Sequence, residues 1–425
     1  MALGTVLLLG VAARPSAAVT CAVDAVPAAT LLLPFFVVDL TNPNGLTTLF
    51  SINNGTANAM LAHAVVWSDL SVPVMSFDVY LTGYDVQTIN LRDIVVFGNL
   101  PQTASLGQDP SGTISHQGNL SQSINFASCQ NVLPPKPVPA AFLQDLQLAL
   151  TGNPSPMLQN QCAGQNLGDN IARGYVTVDT VRNCTTRVPG DDGYFGAQST
   201  NDVTDQNVLW GNWYMVNVPQ SYIIGSTMVG IEADASNPAT TTPGHYTFYG
   251  RYDGWSAIDH REPLASSFAA QYFSTGSGGL FEAGTQLIVW RDPKGAQKPF
   301  PCPAAANSQP QWYPLGMEGL VTFDEAENPA ATQTVPYCPQ PPTTVIPFPA
   351  ATQMVAVGGA QLPVPFHFGW MYVNLNVSAV YNPAPPIDTT AAQAYVISAH
   401  LANGHAVAVD AFRLDSSCNT GHFVP

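Results

Sequence analysis

Asn44-Gly45-Leu46-Thr47-Thr48-Leu49-Phe50-Ser51-Ile52-Asn53-Asn54-Gly55 carries a turn signal at each end and alternates between them. Leu46, Thr48, Phe50 and Ile52 fall on one face, the period-2 pattern of a half-buried strand. Outward from it, residues 60–67 are expected to supply the antiparallel partner. Phe77-Asp78-Val79-Tyr80-Leu81 alternates again, and beyond a turn at Gly83 the chain is expected to return through Gln87-Thr88-Ile89-Asn90-Leu91. Four short strands with turns between them predict an immunoglobulin-like β-sandwich, assigned to residues 19–128.

The next segment reads differently. Residues 140–151 form the one convincing helix: Pro139 stands at its start, Phe142, Leu143, Leu146 and Leu150 make an apolar stripe, and Gly152 ends it. Leu133-Pro134-Pro135-Lys136-Pro137 leads into it, and Cys129 and Cys162 flank it. Residues 129–170 are therefore expected to be a small helical, disulfide-stapled insertion.

From Arg173 onward strands resume, at 175–181, 208–218, 226–231, 246–252 and 286–291. Within 371–378, Met371, Val373, Leu375 and Val377 face one way, and Tyr372, Asn374, Asn376 and Ser378 the other. Residues 395–402 and 405–414 flank Asn403-Gly404, the strongest short hairpin signal. Residues 171–425 are accordingly assigned to a second, larger β-rich domain, and the chain as a whole to the mainly β class. No repeat of constant period is found.

Composition narrows the setting. The 425 residues are 46% hydrophobic but only 9% charged, against about 25% charged in an ordinary soluble domain. Solubility falls to uncharged stretches such as Gln198-Ser199-Thr200-Asn201, which suit an extracellular strand-and-turn protein. The charges are 28 Asp plus Glu against 12 Lys plus Arg, a net −16, and the lysines are Lys136, Lys294 and Lys298. No basic stripe can be built from these, so nucleic acid is excluded as a partner.

Residues 3–13 form an apolar run of signal-peptide length, and Arg14-Pro15-Ser16-Ala17-Ala18 offers a small-residue cleavage site. Residues 1–18 are read as a secretory signal, with a start upstream of Met1 as the alternative because Lys and Arg are missing ahead of the run. Thr20 argues against lipid attachment at Cys21. No later stretch has the ~18 apolar residues of a transmembrane helix. The 37 prolines and seven cysteines speak against an outer-membrane barrel. The expected location is secreted or extracellular, at the cell surface or in a periplasm.

The cysteines are Cys21, Cys129, Cys162, Cys184, Cys302, Cys338 and Cys418, and none are spaced Cys-x-x-Cys. In an exported chain they are expected to form structural disulfides rather than a zinc or catalytic site. Cys302 with Cys338, and Cys162 with either Cys129 or Cys184, are the expected pairs; Cys21 and Cys418, near the termini, could close the chain.

Residues 33–93, with Thr47-Thr48-Leu49-Phe50-Ser51-Ile52-Asn53-Asn54 and Phe77-Asp78-Val79-Tyr80-Leu81-Thr82-Gly83-Tyr84, together with Gly174-Tyr175-Val176-Thr177-Val178-Asp179 and Asp259-His260-Arg261-Glu262-Pro263-Leu264, carry a resemblance. The chain resembles a set of uncharacterised exported bacterial proteins with an immunoglobulin-like β-sandwich pattern, over most of its mature length. The layout of residues 46–91 is also similar to bacterial cell-adhesion domains of immunoglobulin type. The resemblance implies a binding or surface role and carries over no catalytic residue.

Several constellations are candidates for chemistry. His400 and His405 straddle the Asn403-Gly404 turn on one face, close enough to approach one ion, although decoration of a polar face is the preferred reading. Asp191, Asp192, Asp202 and Asp205 crowd a turn-rich loop of the kind that binds calcium, but without the EF-hand spacing. Asp259 and Glu262, beside Arg261, are the candidate carboxylate pair of a glycoside hydrolase, with structural ion pairing preferred. Trp210 and Tyr214 point one way from their strand and Trp213 the other, so one side must be interior; sugar stacking is the alternative to a core role for such rings. Gly-x-Ser-x-Gly, dinucleotide-binding and His-Glu-x-x-His motifs are missing.

The function expected from sequence is an exported, non-enzymatic surface or extracellular protein that binds an unidentified protein or glycan or builds a layer. A secreted hydrolase acting on polysaccharide is the alternative.

Overall fold

The computed structural model describes residues 26–101, 138–196, 201–274, 276, 284–293, 298–302, 319–334, 348–376, 393–402 and 405–414. The expected signal peptide, Cys21, Cys129, Cys338, Cys418, Trp312, the Asn403-Gly404 turn and residues 377–378 lie outside the described residues. The first strands are β1 (Thr30–Asp39), β2 (Thr47–Asn54), β3 (Met60–Ser68), β4 (Pro73–Leu81) and β5 (Val86–Asn90), followed by helices α1 (Leu91–Val95) and α2 (Ala140–Leu150). Then come β6 (Ile171–Val181), β7 (Leu209–Trp210), β8 (Asn212–Asn217), β9 (Tyr222–Thr227) and β10 (Val229–Ile231). The last group is β11 (Ser267–Phe273), β12 (Gly284–Arg291), β13 (Gly319–Phe323), β14 (Pro329–Thr334), β15 (Thr352–Ala356), β16 (Phe368–Asn374), β17 (Ala394–Ala402), β18 (His405–Asp410) and β19 (Phe412–Arg413).

The protein is mainly β, and among the described residues its strands build four antiparallel sheets. The central sheet runs β10-β1-β6-β3-β4; an outer sheet runs β5-β2-β8-β9, with β7 beside β2. A middle sheet runs β15-β12-β17-β18, and a far sheet runs β14-β13-β16-β11-β19. The strand β6 lies between β1 and β3, and β8 pairs with β2. Strands from before and after residue 170 thus share two sheets, and a division into 19–128 and 171–425 does not separate them.

Burial explains the layering. The central strands β1, β3 and β6 are buried on both faces, and β1 and β3 are mostly apolar. One face carries Leu31, Val178, Ala64 and Phe77 in cross-strand register. In β1 the ladder shifts between Leu33 and Phe36, around Pro34, which has no N–H to donate. The middle sheet is also covered on both sides. Ile288, Trp290, Ile397 and Ala399 join the core that contains the central sheet. Leu287, Val289 and Val396 face Phe268, Tyr272, Met371 and Val373 of the far sheet.

Local chemistry sets the details. Asn90 caps α1 by accepting from the Arg92 N–H. The buried Arg92 guanidinium then donates to the carbonyls of Asn42, Gly45 and Leu46, which fixes the turn ahead of β2. The helix α2 forms where expected, with Pro139 before it and Leu146 and Leu150 buried. Gly152 follows at φ +67, the left-handed conformation that ends helices.

Several expectations are corrected. The strand β3 does not pair with β2; it lies in the central sheet between β6 and β4. Nor do β4 and β5 form a hairpin, since β5 crosses to pair with β2. The two faces of β3 are equally apolar, so alternation could not assign it a partner. Residues 246–252 are not a strand. Tyr246, Phe248 and Tyr249 are all buried, and the segment turns into a short helix at Gly250–Asp253 whose following Gly254 has φ +67. Cys162 is bonded to Cys302, replacing both expected pairings of these residues, and Cys184 is disulfide-bonded as well. Spacing misled here because Cys162 and Phe300 are brought together by an isolated bridge between segments remote in sequence.

The Cys162–Cys302 bond closes a separation of 140 residues, and with Leu70, Phe300, Ala350 and Ala351 it forms a small core of its own. Replacing both cysteines by alanine is expected to lower unfolding free energy by about 2–5 kcal/mol, read from urea denaturation; an unchanged midpoint would contradict a structural role.

Candidate binding face

Alternation in the outer sheet puts Phe50, Ile52, Trp213, Met215 and Ile224 in the core. Register pairing then places Asn53 beside Val86 and Trp210, and Leu49 beside Asn90 and Tyr214, on the opposite side. Tyr214 continues that row to Gly225, and Val216 to Ile223. The expected division of the aromatic strand is therefore observed: Trp213 is fully buried, whereas Trp210 is 40% exposed and Tyr214 45% exposed. Val86 and Ile223, at 56% and 54%, extend the apolar surface.

The geometry of Tyr214 depends on Gly225. A Cβ at that glycine would lie 2.4 Å from Tyr214 Cδ1 and 3.0 Å from Cε1, so the ring leans over the neighbouring strand in space that any larger residue would fill. Trp210 and Tyr214 are four residues apart, about 13 Å along an extended strand. Around them stand Thr47, Ser51, Asn53, Thr88, Asn90, Asn212 and Thr227. Asn53 Nδ2 donates to Ser51 Oγ at 3.0 Å, and Ser51 Oγ in turn accepts the Asn212 N–H at 3.2 Å. Strands β2, β5, β7, β8 and β9 contain no Asp, Glu, Lys or Arg.

The densest ionisable cluster is elsewhere and closed. Thr30, Asp179, His63 and Asp78 lie in one cross-strand row on the central sheet, all fully buried. Asp179 accepts hydroxyl hydrogen bonds from Thr30, from Tyr194 at 2.5 Å and from Tyr249 at 3.0 Å. Arg261 Nε lies 3.4 Å from the same carboxylate. His63 bridges Asp78 at 3.1 Å and the Arg187 carbonyl at 2.9 Å. Burial pulls the imidazole pKa down, but the adjacent Asp78 and Asp179 carboxylates outweigh it and raise it. Composition hides this cluster, although His63 and Asp78 are each an ionisable residue inside a mainly apolar strand, which is the signal that could have exposed them.

The residues singled out from sequence are dispersed. Asp259 is fully buried, accepts the Tyr249 N–H at 2.6 Å and sits 3.4 Å from Arg261 Nη1. Glu262 is half-buried and accepts from Asn237 at 3.3 Å. Asp202 takes the Thr185 hydroxyl and Arg187, Asp205 pairs with His260 at 2.7 Å, and Asp191 accepts the Val188 N–H. Asp192 is exposed. Among the described residues no group of three or more His, Cys, Asp or Glu is arranged to hold a metal ion. The register Ala402–His405 and His400–Val407 is as expected. His400 is nonetheless engaged by Thr285 at 3.0 Å and Ser398 at 3.3 Å, and burial lowers its pKa. No helix among the described residues is long and apolar enough to cross a membrane.

Two predictions follow from the buried groups. Asp179→Asn leaves Arg261 underpaired and removes a charged acceptor from three hydroxyls, so it should cost about 3–5 kcal/mol of stability, measured by denaturant unfolding. Burial raises the carboxyl of Asp69 from 3.8 to about 7. The folded state therefore holds this proton more tightly than the unfolded chain, and the stabilisation present below pH 3.8 is lost as pH rises through about 7. Asp69→Asn keeps an acceptor for the Gln165 N–H; it should raise the melting temperature at pH 8 and flatten its change between pH 4 and pH 8. An identical profile in the variant would refute this.

No family model matches the chain, and no curated protein and no solved structure matches it, so the binding face and the buried cluster are judged on their own geometry.

Proposed function

We propose that this chain is an exported, non-enzymatic binding protein of the extracellular or cell-surface environment, and that it holds its partner on the outer face of β5-β2-β8-β9. One observation carries the reading: Trp210 and Tyr214 are exposed together on strands that bear no charge. A solvent-facing sheet ordinarily carries Lys or Glu to prevent association. Its outer face is instead uncharged, with exposed aromatic and aliphatic side chains set among hydroxyls and amides, a composition suited to an interaction surface.

Other features support the same reading. The Cys162–Cys302 bond suits an oxidising compartment, as the signal-like residues 1–18 do. Hydrolysis of polysaccharide would require Asp259 to reach substrate, yet its carboxylate is enclosed by Tyr249 and Arg261.

The test compares the full chain with the Trp210→Ala/Tyr214→Ala double variant on envelope and exopolymer fractions of the producing cells. The native protein should be retained and the variant released, at equal melting temperature and with no sugar liberated. Equal retention of both proteins would sink the assignment of the face.

A further inference from the structure

We infer that the partner on this face is an uncharged polysaccharide chain lying across β2, β8 and β9, an inference that rests on the binding role proposed above.

The first argument is the posture of the rings. Tyr214 leans over Gly225 and is 45% exposed, and Trp210 stands on the same side of the same run of chain. A pyranose ring offers a flat patch of C–H groups that packs on an aromatic face, while its hydroxyls point outward around the rim. Positions about 13 Å apart along the strand favour an extended polymer over a single sugar, because one sugar is shorter than that span.

The second argument is the polar surround. Thr47, Ser51, Thr88, Asn90, Asn212 and Thr227 share the face with the aromatics. Hydroxyls and amides both donate and accept, which matches the dual character of sugar hydroxyls. Thr88 and Thr227 are exposed on this face and Asn90 and Asn212 are half-buried, so hydroxyl and amide groups flank the rings at its surface.

The third argument is charge. These strands have no cation to hold a carboxylate or sulfate, and a net −16 repels polyanions at a distance. A protein partner would be expected to meet an apolar patch with fewer amides and hydroxyls between the rings. The far sheet, where Phe412 is 72% exposed, supplies an aromatic outside this face for comparison.

Affinity electrophoresis of the full chain through gels containing soluble β-glucan, xylan, galactomannan, alginate or polygalacturonate tests the inference. Retardation is expected with at least one of the first three and with neither of the anionic polymers, and it should be insensitive to salt. Trp210→Ala and Tyr214→Ala should each weaken binding roughly tenfold or more. Phe412→Ala should not. Retardation by the anionic polymers alone, or by none, overturns the inference, as does undiminished binding by the tryptophan and tyrosine variants. If the double variant also loses envelope retention while no neutral polymer binds, the polysaccharide assignment falls and the binding face stands; if retention is unaltered, both fall.

Discussion

Asp179 holds a carboxylate out of water in the middle of a sheet that is covered on both sides, and the architecture depends on its being neutralised there. Three hydroxyls and Arg261 do so. Those groups come from β1 and from loops centred on Tyr194, Tyr249 and Arg261, so satisfying one side chain draws remote segments onto the central sheet. Leaving a buried charge unpaired costs several kcal/mol, which makes the arrangement all-or-none. The sequence between β10 and β11 cannot continue as strand under that demand, and the aromatic segment around Tyr249 curls over the sheet instead.

A second buried group fastens the remaining layers. Asp292, at the end of β12, pairs with Arg251 and accepts from Tyr246 and Gln393. Gln393 also donates to the Phe248 carbonyl and accepts the Leu264 N–H. The middle sheet is thereby tied to the loop that covers the central sheet, while its other face completes the core of the far sheet. Thr352 adds a contact to the Pro34 carbonyl at the bulge of β1. The strands of the outer sheet, which carry no charged residue, meet solvent with aromatic, aliphatic, amide and hydroxyl groups.

That distribution gives a physical basis for separating stability from binding. The carboxyls of Asp259 and Asp292 are pushed up to about 6 by burial, against the pull of Arg261 and Arg251, so with Asp69 they contribute to how the fold responds to pH. The exposed rings of Trp210 and Tyr214 have no titratable neighbour on their strands. Chemistry at the face is set by shape and by neutral hydrogen bonding, and the interior can be tuned without altering it.

Alternation along residues 46–52 and 371–375, the pairing of 395–402 with the strand from 405, the cap residues around α2 and the opposite directions of Trp210 and Trp213 were legible in the sequence, because each is fixed by local backbone geometry. The mainly β class follows from them. Strand partners were not legible: β1, β3 and β6 are buried on both faces, so alternation does not mark which neighbour each takes. Nor could spacing reveal that Cys162 meets Cys302, or that Thr30, His63, Asp78 and Asp179 form one row. Those meetings depend on register between strands far apart in the chain. Only the packed structure decides which lone polar residue faces which, since the desolvation cost that selects the partners exists only once water has been excluded.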